Sequence, residues 1–353
     1  MIFIALRISW FTSVFIALLA VRPAGAAVIN GQEYISLGDW GQANGFHLAI
    51  AGREVALNGK TARLVFDVDS TQAQINGVNV RLSFPVASDR GMPLIAEMDV
   101  NTALRPLLFL PRNPGAKRII TICLDPGHGG KDTGNRVGTG IFAHNEKSYT
   151  LPLALELRAQ LKKAGFKVIL TRNRDVYVDL PARPATANQA GADLFISLHF
   201  NASQFDTNNV QGPETYCITP VGAQSSNAHG EGGEFGSLVG TGPTTANHCE
   251  NQSLLLAYQV QRSLVQNLPA TDRSVRRARF AVLRDATMPA ILVEGGYMTN
   301  PTEGQKIYTA AYRKQMAAAI LKGILAYQAL MEPPPRPVPT GKTNLLPVMA
   351  NPQ

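Results

Sequence analysis

At 353 residues and 45% hydrophobic composition, the chain can hold one large domain or two ordinary ones around a sizeable core. Its formal net charge of +8 suits acidic polymers such as nucleic acid, anionic lipid or cell-wall glycan, but no basic run interleaved with aromatics occurs, which sets nucleic acid aside. The three cysteines form no C-x-x-C pair, so neither a disulfide scaffold nor a thiolate zinc site is expected.

The first stretch reads as a targeting segment. Arg7 precedes an apolar run from Ile8 to Ala20, and Ala24-Gly25-Ala26 is an A-x-A cleavage signal. Residues 1–26 are therefore expected to be a signal peptide, cut near Ala26 or Ala27, with no stable membrane span after processing and a secreted or periplasmic destination. Residues 28–112 read as a small β-rich α+β accessory domain. Strands are expected at Tyr34–Leu37, Phe46–Ala51, Arg63–Val68, Gln72–Ile75 and Val78–Leu82. Gly38–Asn44 is a helical turn, Asn76-Gly77 is a hairpin signal, and Gly91–Leu108 reads as a strand followed by a short helix.

Residues 113–117 are a linker by composition. From 118 to 330, strands alternate with helical patterns, the signature of an α/β domain with a mainly parallel twisted sheet flanked by helices. The helix Glu146–Ala164 presents Leu153, Leu157 and Leu161 at a spacing of four, and Gly165 stops it. Phe166–Leu170 is a strand, Pro181–Ala190 a helix and Gly212–Thr219 a strand. Val221–Asn251, rich in Gly, Ser, Asn and Thr, reads as a loop bordering the groove. Ser253–Leu268 and Gln305–Leu330 are the remaining helices, and residues 331–353 form a Pro-rich tail expected to be disordered.

Four polar residues recur at strand ends or helix starts. The apolar run Ile119–Leu124 opens into Asp125-Pro126-Gly127-His128-Gly129-Gly130. Leu194–Leu198 runs into His199, Ala290–Val293 runs into Glu294, and Glu146 opens a helix. In an open α/β sheet, chemistry sits beyond the carboxyl ends of the strands. Taken together, His128, Glu146 and His199 form the His₂Glu set of a catalytic zinc site, with Glu294 left as general base. Taken singly, each has an ordinary structural reading, as a hydrogen-bonded His, a helix-dipole partner or a turn cap. Gly129-Gly130-Lys131 is not a phosphate loop, because Asp125 and Asp132 occupy the positions where that motif needs Gly and Ser or Thr.

Several segments resemble the zinc-dependent N-acetylmuramoyl-L-alanine amidases of bacterial cell separation. They are Leu124–Gly130, Asn145-Glu146-Lys147, Leu170-Thr171-Arg172 with Asp175, Arg183 with Asn188, Ala192–Ala202, Val282-Leu283-Arg284 and Met288–Asn300. They follow family order over about 210 residues. The resemblance implies zinc held by His128, Glu146 and His199, and Glu294 as the catalytic glutamate. It also implies cleavage of the amide between N-acetylmuramic acid and the L-Ala of a stem peptide. Peptidoglycan is then the expected partner, with an activator protein as a further candidate. Some relatives carry an inhibitory helix in the region after the Gly212 strand; the stretch here has no helical apolar pattern. Tyr34–Leu37, Ile75-Asn76-Gly77 and Gly91–Leu94 resemble, loosely, the N-terminal domain of copper amine oxidases, without implying copper.

Two rival readings remain open at this level: a zinc peptidase cutting within the stem peptide, and a wall-binding protein without activity. Of the remaining polar residues, Arg183 and Asn188 are expected to brace a sheet edge or loop. Arg273, Arg276, Arg277 and Arg279 read as a solvated basic face that could meet stem-peptide carboxylates. His144 could border the site without being a ligand; His47 reads as structural, and His229 and His248 as solvent-facing loop residues. Cys123 reads as a buried apolar residue, and Cys217 and Cys249 could pair.

Overall fold

The computed structural model describes residues 26–109, 118–226 and 240–332. The expected cleavage segment up to residue 25, the linker at 113–117, the centre of the long loop with His229, and the tail from 333 lie outside the described residues. Among the described residues, no helix is long and apolar enough to cross a membrane.

The N-terminal region contains strands β1 (Ala27–Ile29), β2 (Gln32–Ser36), β3 (His47–Ala51), β4 (Glu54–Asn58), β5 (Arg63–Asp67), β6 (Gln72–Ile75), β7 (Val78–Arg81), β8 (Ala87–Asp89) and β9 (Met92–Ala96). Helix α1 (Leu37–Ala43) follows β2, and α2 (Glu97–Asp99) and α3 (Arg105–Leu108) flank a π-helical turn at Val100–Leu104. Ser36 caps α1 by accepting from the Asp39 amide at 3.1 Å. The turn at Asn76-Gly77 places both residues at positive φ, 48° and 81°, as a tight hairpin requires. Strand β4 was not anticipated: Glu54-Val55-Ala56-Leu57-Asn58 has no β-branched residue besides Val55 and ends in Asn, and pairing with β3 and β5 makes it a strand.

The second region runs β10 (Thr121–Pro126), β11 (Arg136–Val137), β12 (His144–Asn145), α4 (Lys147–Lys163), β13 (Lys167–Leu170), α5 (Ala182–Gln189) and β14 (Leu194–Asn201). It continues with β15 (Glu214–Cys217), α6 (Glu250–Asn267), β16 (Val275–Arg277), α7 (Ala281–Arg284), β17 (Ala290–Tyr297), α8 (Pro301–Ile307) and α9 (Ala310–Met331). The single helix expected over Gln305–Leu330 is two. Thr309 interrupts it and caps α9, its side chain accepting from the Tyr312 amide.

Strands β13, β10, β14 and β17 are mutually parallel neighbours, and β15 joins β17 antiparallel. Alternation divides their side chains between two cores. Ile122, Leu124, Ile196, Leu198, Ile291 and Val293 pack on the side of α4, α6 and α9. Cys123, Phe195, Tyr216 and Leu292 pack with Ala187 of α5 and Val282 and Leu283 of α7. This is the mainly parallel, helix-flanked sheet that the strand–helix alternation implies.

The sheet crosses the expected domain boundary. β16 pairs parallel with β7, Val275 against Val80, so β7 through β3 extend the same sheet to eleven strands. Val80, Ile75 and Leu64 share one apolar core with Leu254 and Val260 of α6. Asp272 binds the contact: its Oδ2 accepts from the Asn79 amide at 2.7 Å, its carbonyl accepts from Asn79 Nδ2, and its Oδ1 accepts from Gln261 and Ser274. Tyr258 donates to the Ile75 carbonyl at 2.9 Å.

A shared sheet and core couple the two regions in unfolding. Denaturant titration of residues 26–353 is expected to give one transition, and Asp272→Ala to cost roughly 1.5–3 kcal/mol, the scale of hydrogen bonds to a charged group. Two separated transitions, with only the first sensitive to Asp272→Ala, would contradict this coupling.

Candidate active site

The site begins with a loop whose carbonyls are held from behind. Asp125, at the end of β10, is fully buried. It accepts from Arg183 Nη1 at 2.9 Å, Thr171 Oγ1 at 2.5 Å and Ser197 Oγ at 2.7 Å. Burial alone would raise its pKa; the Arg183 charge and the two hydroxyls outweigh burial and hold the carboxyl below its ordinary range. Arg183 donates also to the carbonyls of Pro126, His128 and Val178, and Arg172 donates to those of Pro126 and Gly127. Lys147 and Asp175 clamp Gly130, two residues after His128, Lys147 donating to its carbonyl and Asp175 accepting from its amide. Arg183 thus braces the loop as expected, and Asn188 ties α5 to the Asp285–Thr287 turn before β17.

This scaffold holds His128 at φ 60°, a backbone state rare for a side chain without such support. Gly127 lies directly beneath His199: a Cβ there would fall 2.1 Å from the ring. A Cβ on Gly134 would fall 2.5 Å from the His128 ring and 2.6 Å from Glu146 Oε2. The glycines of the loop are therefore the space into which the histidines and the glutamate close.

His128, Glu146 and His199 meet there. Glu146 precedes α4 and is fully buried, with Oε2 3.0 Å from His128 Nε2 and Oε1 2.9 Å from His199 Nδ1. It also accepts from the amides of Asn135 and Phe200, both at 3.0 Å. Asp132, four residues after His128, stands 2.9 Å from His128 Nδ1 and accepts from the Gly134 amide. Burial would raise the Glu146 pKa, but the two imidazoles and their hydrogen bonds drive it well below the carboxylate range. Burial would lower the His128 pKa; Glu146 and Asp132 together push it up to about 10. For His199, burial dominates and lowers it, against the pull of Glu146.

The three groups offer ligand atoms that all lie within 4.8 Å of one another. Ligands of a tetrahedral zinc stand roughly 3.3–3.5 Å apart, so this His₂Glu cluster fits such an ion in donor type and in spacing. With Nδ1 engaged by Asp132, His128 has Nε2 to offer, and a carboxylate behind a ligating His is the usual outer partner of such a site.

Glu294, 2% exposed, is level with His199 on the adjacent parallel strand, the two being register partners. The register then slips between His199 and Asn201, where Gly295 and Gly296 follow. Glu303 holds the slip, accepting from the amides of Tyr297 and Gly212. A cleft of about 570 Å³ opens over the cluster, lined among others by His128, His199, Lys131, Tyr177 and Val282.

Other expected residues fall elsewhere. His144 stacks on Tyr308 at 3.7 Å and bonds the Tyr149 hydroxyl, which places its ring in an aromatic group. The four arginines do not form a solvated face: Arg277 and Arg279 are buried, and Arg273 and Arg276 turn toward the buried carboxylate of Glu214. Arg277 donates to the Thr102 carbonyl and Arg279 to those of Ala223 and Pro220, which gives carbonyl partners to guanidinium groups drawn out of water. His47 lies exposed on β3, and His248 meets the Thr287 carbonyl at 3.2 Å. The cysteines are free thiols, and Cys217 and Cys249 do not pair. Sequence reading passed over Asp132 and Glu214; a carboxylate four residues after the loop His, and a Glu inside an apolar strand, are the signals each leaves.

Comparison with known proteins places this fold and site in a class. Residues 122–326 match the family model described as N-acetylmuramoyl-L-alanine amidase. The chain is 33% identical over 305 residues to AmiC of Escherichia coli O6:H1, covering 76% of this chain and 72% of that protein. Against AmiC of Neisseria meningitidis serogroup B it is 32% identical over 303 residues, with the same coverage of 76% and 72%. Both relatives are named N-acetylmuramoyl-L-alanine amidases. Among solved structures, AmiC2 of Nostoc punctiforme is similar at a TM-score of 0.48 and 31% identity, over 61% of this chain and 99% of that one. The chain belongs to the N-acetylmuramoyl-L-alanine amidase family. It is an enzyme of that class, a hydrolase acting on peptidoglycan.

The loop scaffold makes a pH prediction. Asp125 has a lowered folded pKa, so its contribution to stability is present above the unfolded value near 3.9 and is lost as pH falls through the folded one. Asp125→Asn strands a buried guanidinium and is expected to cost about 3–5 kcal/mol at neutral pH. The difference from wild type should shrink only at strong acid, as read by denaturant midpoints across pH. A neutral-pH cost below about 1 kcal/mol would show that Arg183 does not depend on this carboxylate.

Proposed function

We propose that the protein is a zinc-dependent amidase that hydrolyses the amide between the lactyl carbonyl of N-acetylmuramic acid and the L-Ala of peptidoglycan stem peptides. Its setting would be wall remodelling or cell separation. The observation that carries this reading is the meeting of His128, Glu146 and His199 within ligand distance, with Glu294 in register beside His199.

His128, Glu146 and His199 would hold the ion, and a bound zinc would polarise the scissile carbonyl and acidify the attacking water. Glu146 remains a carboxylate, held so by the imidazoles and by the Asn135 and Phe200 amides. Asp132 orients the His128 ring and fixes which nitrogen faces the cleft. Glu294 takes the proton of the attacking water and returns it to the departing L-Ala nitrogen, one group serving as base and then acid. The buried strands around the cluster restrict bulk water, which strengthens each of these interactions.

Residues 118–330 carry all these groups and form the proposed catalytic unit, with 28–112 as an accessory region docked on the same sheet. An N-terminal signal over residues 1–26 and a secreted or periplasmic location accord with a wall substrate. An activator protein is a further proposed partner.

The roles separate experimentally. His128→Ala and His199→Ala are expected to lose bound zinc and turnover together. Glu294→Gln should keep zinc near one per chain while turnover falls on the order of 10²–10⁴-fold, the scale of a general base. Elemental analysis and product identification on purified sacculi, with and without chelator, measure both. Loss of zinc from Glu294→Gln would make Glu294 a ligand. Cleavage products lacking a free L-Ala amine would make the enzyme a stem-peptide peptidase.

A further inference from the structure

Glu294 is buried, and the strand register shows which charged side chains share its face of the sheet. β15 lies between β17 and β16 in the sheet. Glu214 is the register partner of Glu294, and Tyr216 is the register partner of both Leu292 and Arg276. Register partners project to the same face, so Glu294, Glu214, Tyr216 and Arg276 share one side of the sheet, in two adjacent rows. Arg277, one residue on, belongs to the other face and donates to the Thr102 carbonyl.

Glu214 gathers this row. It is fully buried and accepts from Arg273 Nε at 2.7 Å, the Tyr297 hydroxyl at 2.7 Å and the Tyr216 hydroxyl at 2.6 Å; Arg276 Nε lies 3.7 Å from its Oε2. Arg273 also lies over the Tyr297 ring, 5.0 Å from its centroid. Two guanidinium groups thus face this one carboxylate. The next carboxylate on that face is Glu294, the register partner of Glu214. The Nε edge of Arg276 faces Glu214, and the rest of its planar fork has the geometry to take a second carboxylate.

We propose that Arg276 is a positioning residue for the amidase reaction, spanning Glu214 and Glu294 and fixing the carboxylate of Glu294 toward the cleft. Glu214 and Arg273 anchor Arg276 from behind. The inference rests on Glu294 as the base, and a failure of that reading is distinguishable: an active Glu294→Gln enzyme refutes the base, whatever Arg276 does.

The test is a double-mutant cycle on the zinc-loaded full chain with a soluble muropeptide, reading kcat, KM, zinc content and Tm. Arg276→Met is expected to lower kcat on the order of 10–100-fold, within the range of a general-base contribution. KM should stay within about twofold and zinc near one per chain, because the interaction lost acts on the chemical step. Arg276→Lys, which keeps a charge on a different reach, should restore part of kcat. In the Glu294→Gln background, Arg276→Met should cost less than about threefold, because a residue acting through Glu294 has nothing left to position. If Arg276→Met does not fold, Arg276→Lys is read in the same cycle. Equal losses from the arginine substitution in both backgrounds, or full kcat in a folded Arg276→Met enzyme, would overturn the proposal.

Discussion

The structure depends on a carboxylate kept out of water. Glu146 has no exposed surface, and an ion so placed survives only if every lone pair finds a partner. Two imidazoles and two backbone amides supply them. The partners come from three places in the chain, the loop after β10, the turn before β11 and the end of β14, and Glu146 itself opens α4. Satisfying one buried group therefore requires the sheet, the loop and the helix to be in place together. A group so expensive to leave unpaired is well suited to a cation site, because a divalent ion supplies the charge that protons must otherwise provide.

Rigidity around that carboxylate comes from an outer layer of charge. Arg172 and Arg183 reach through the loop to three successive carbonyls, and Asp125 anchors Arg183 from the strand. The Asp125–Arg183 contact is a buried, hydrogen-bonded ion pair whose worth lies less in net stability than in fixing one geometry. The glycines complete the arrangement by absence: a single added carbon at Gly127 would overlap His199, and one at Gly134 would overlap His128 and Glu146. On the far side of His199, Glu214 with its two arginines is the corresponding charged layer behind Glu294. The cleft lies between the two.

The N-terminal region adds to this frame through the sheet. Its antiparallel strands continue from β7 across β16 to β15, the strand that carries Glu214. Arg277 of β16 donates to Thr102 in the N-terminal region, while Arg276 beside it turns to the opposite face. One short strand is thus tied on one side to the N-terminal helices and on the other to the carboxylates beside the site. The docking is polar as well as apolar, through Asp272 and Asn79.

Much of the site was legible in the sequence, because its members stand where apolar β-branched runs end. Periodicity locates β10, β14 and β17, and each run delivers a His or Glu at its end; the family motifs then implied which of them bind and which act. The same periodicity gives α4 by its Leu153, Leu157 and Leu161 stripe. What the tertiary structure decided are matters of partnership. Asp132, Arg183 and Glu214 look like ordinary charged residues until burial forces each to a specific counterpart, and the four arginines from 273 to 279 read as solvated until the sheet turns them inward. β4 and β16 are strands only because neighbours supply their ladders. The continuity of the sheet from 28–112 into the catalytic part rests on one parallel pairing between segments almost two hundred residues apart. Local chemistry determines which residues can form a strand or hold a ligand; only the closed fold determines what each one meets, because burial makes an unpaired charge or amide too costly to keep.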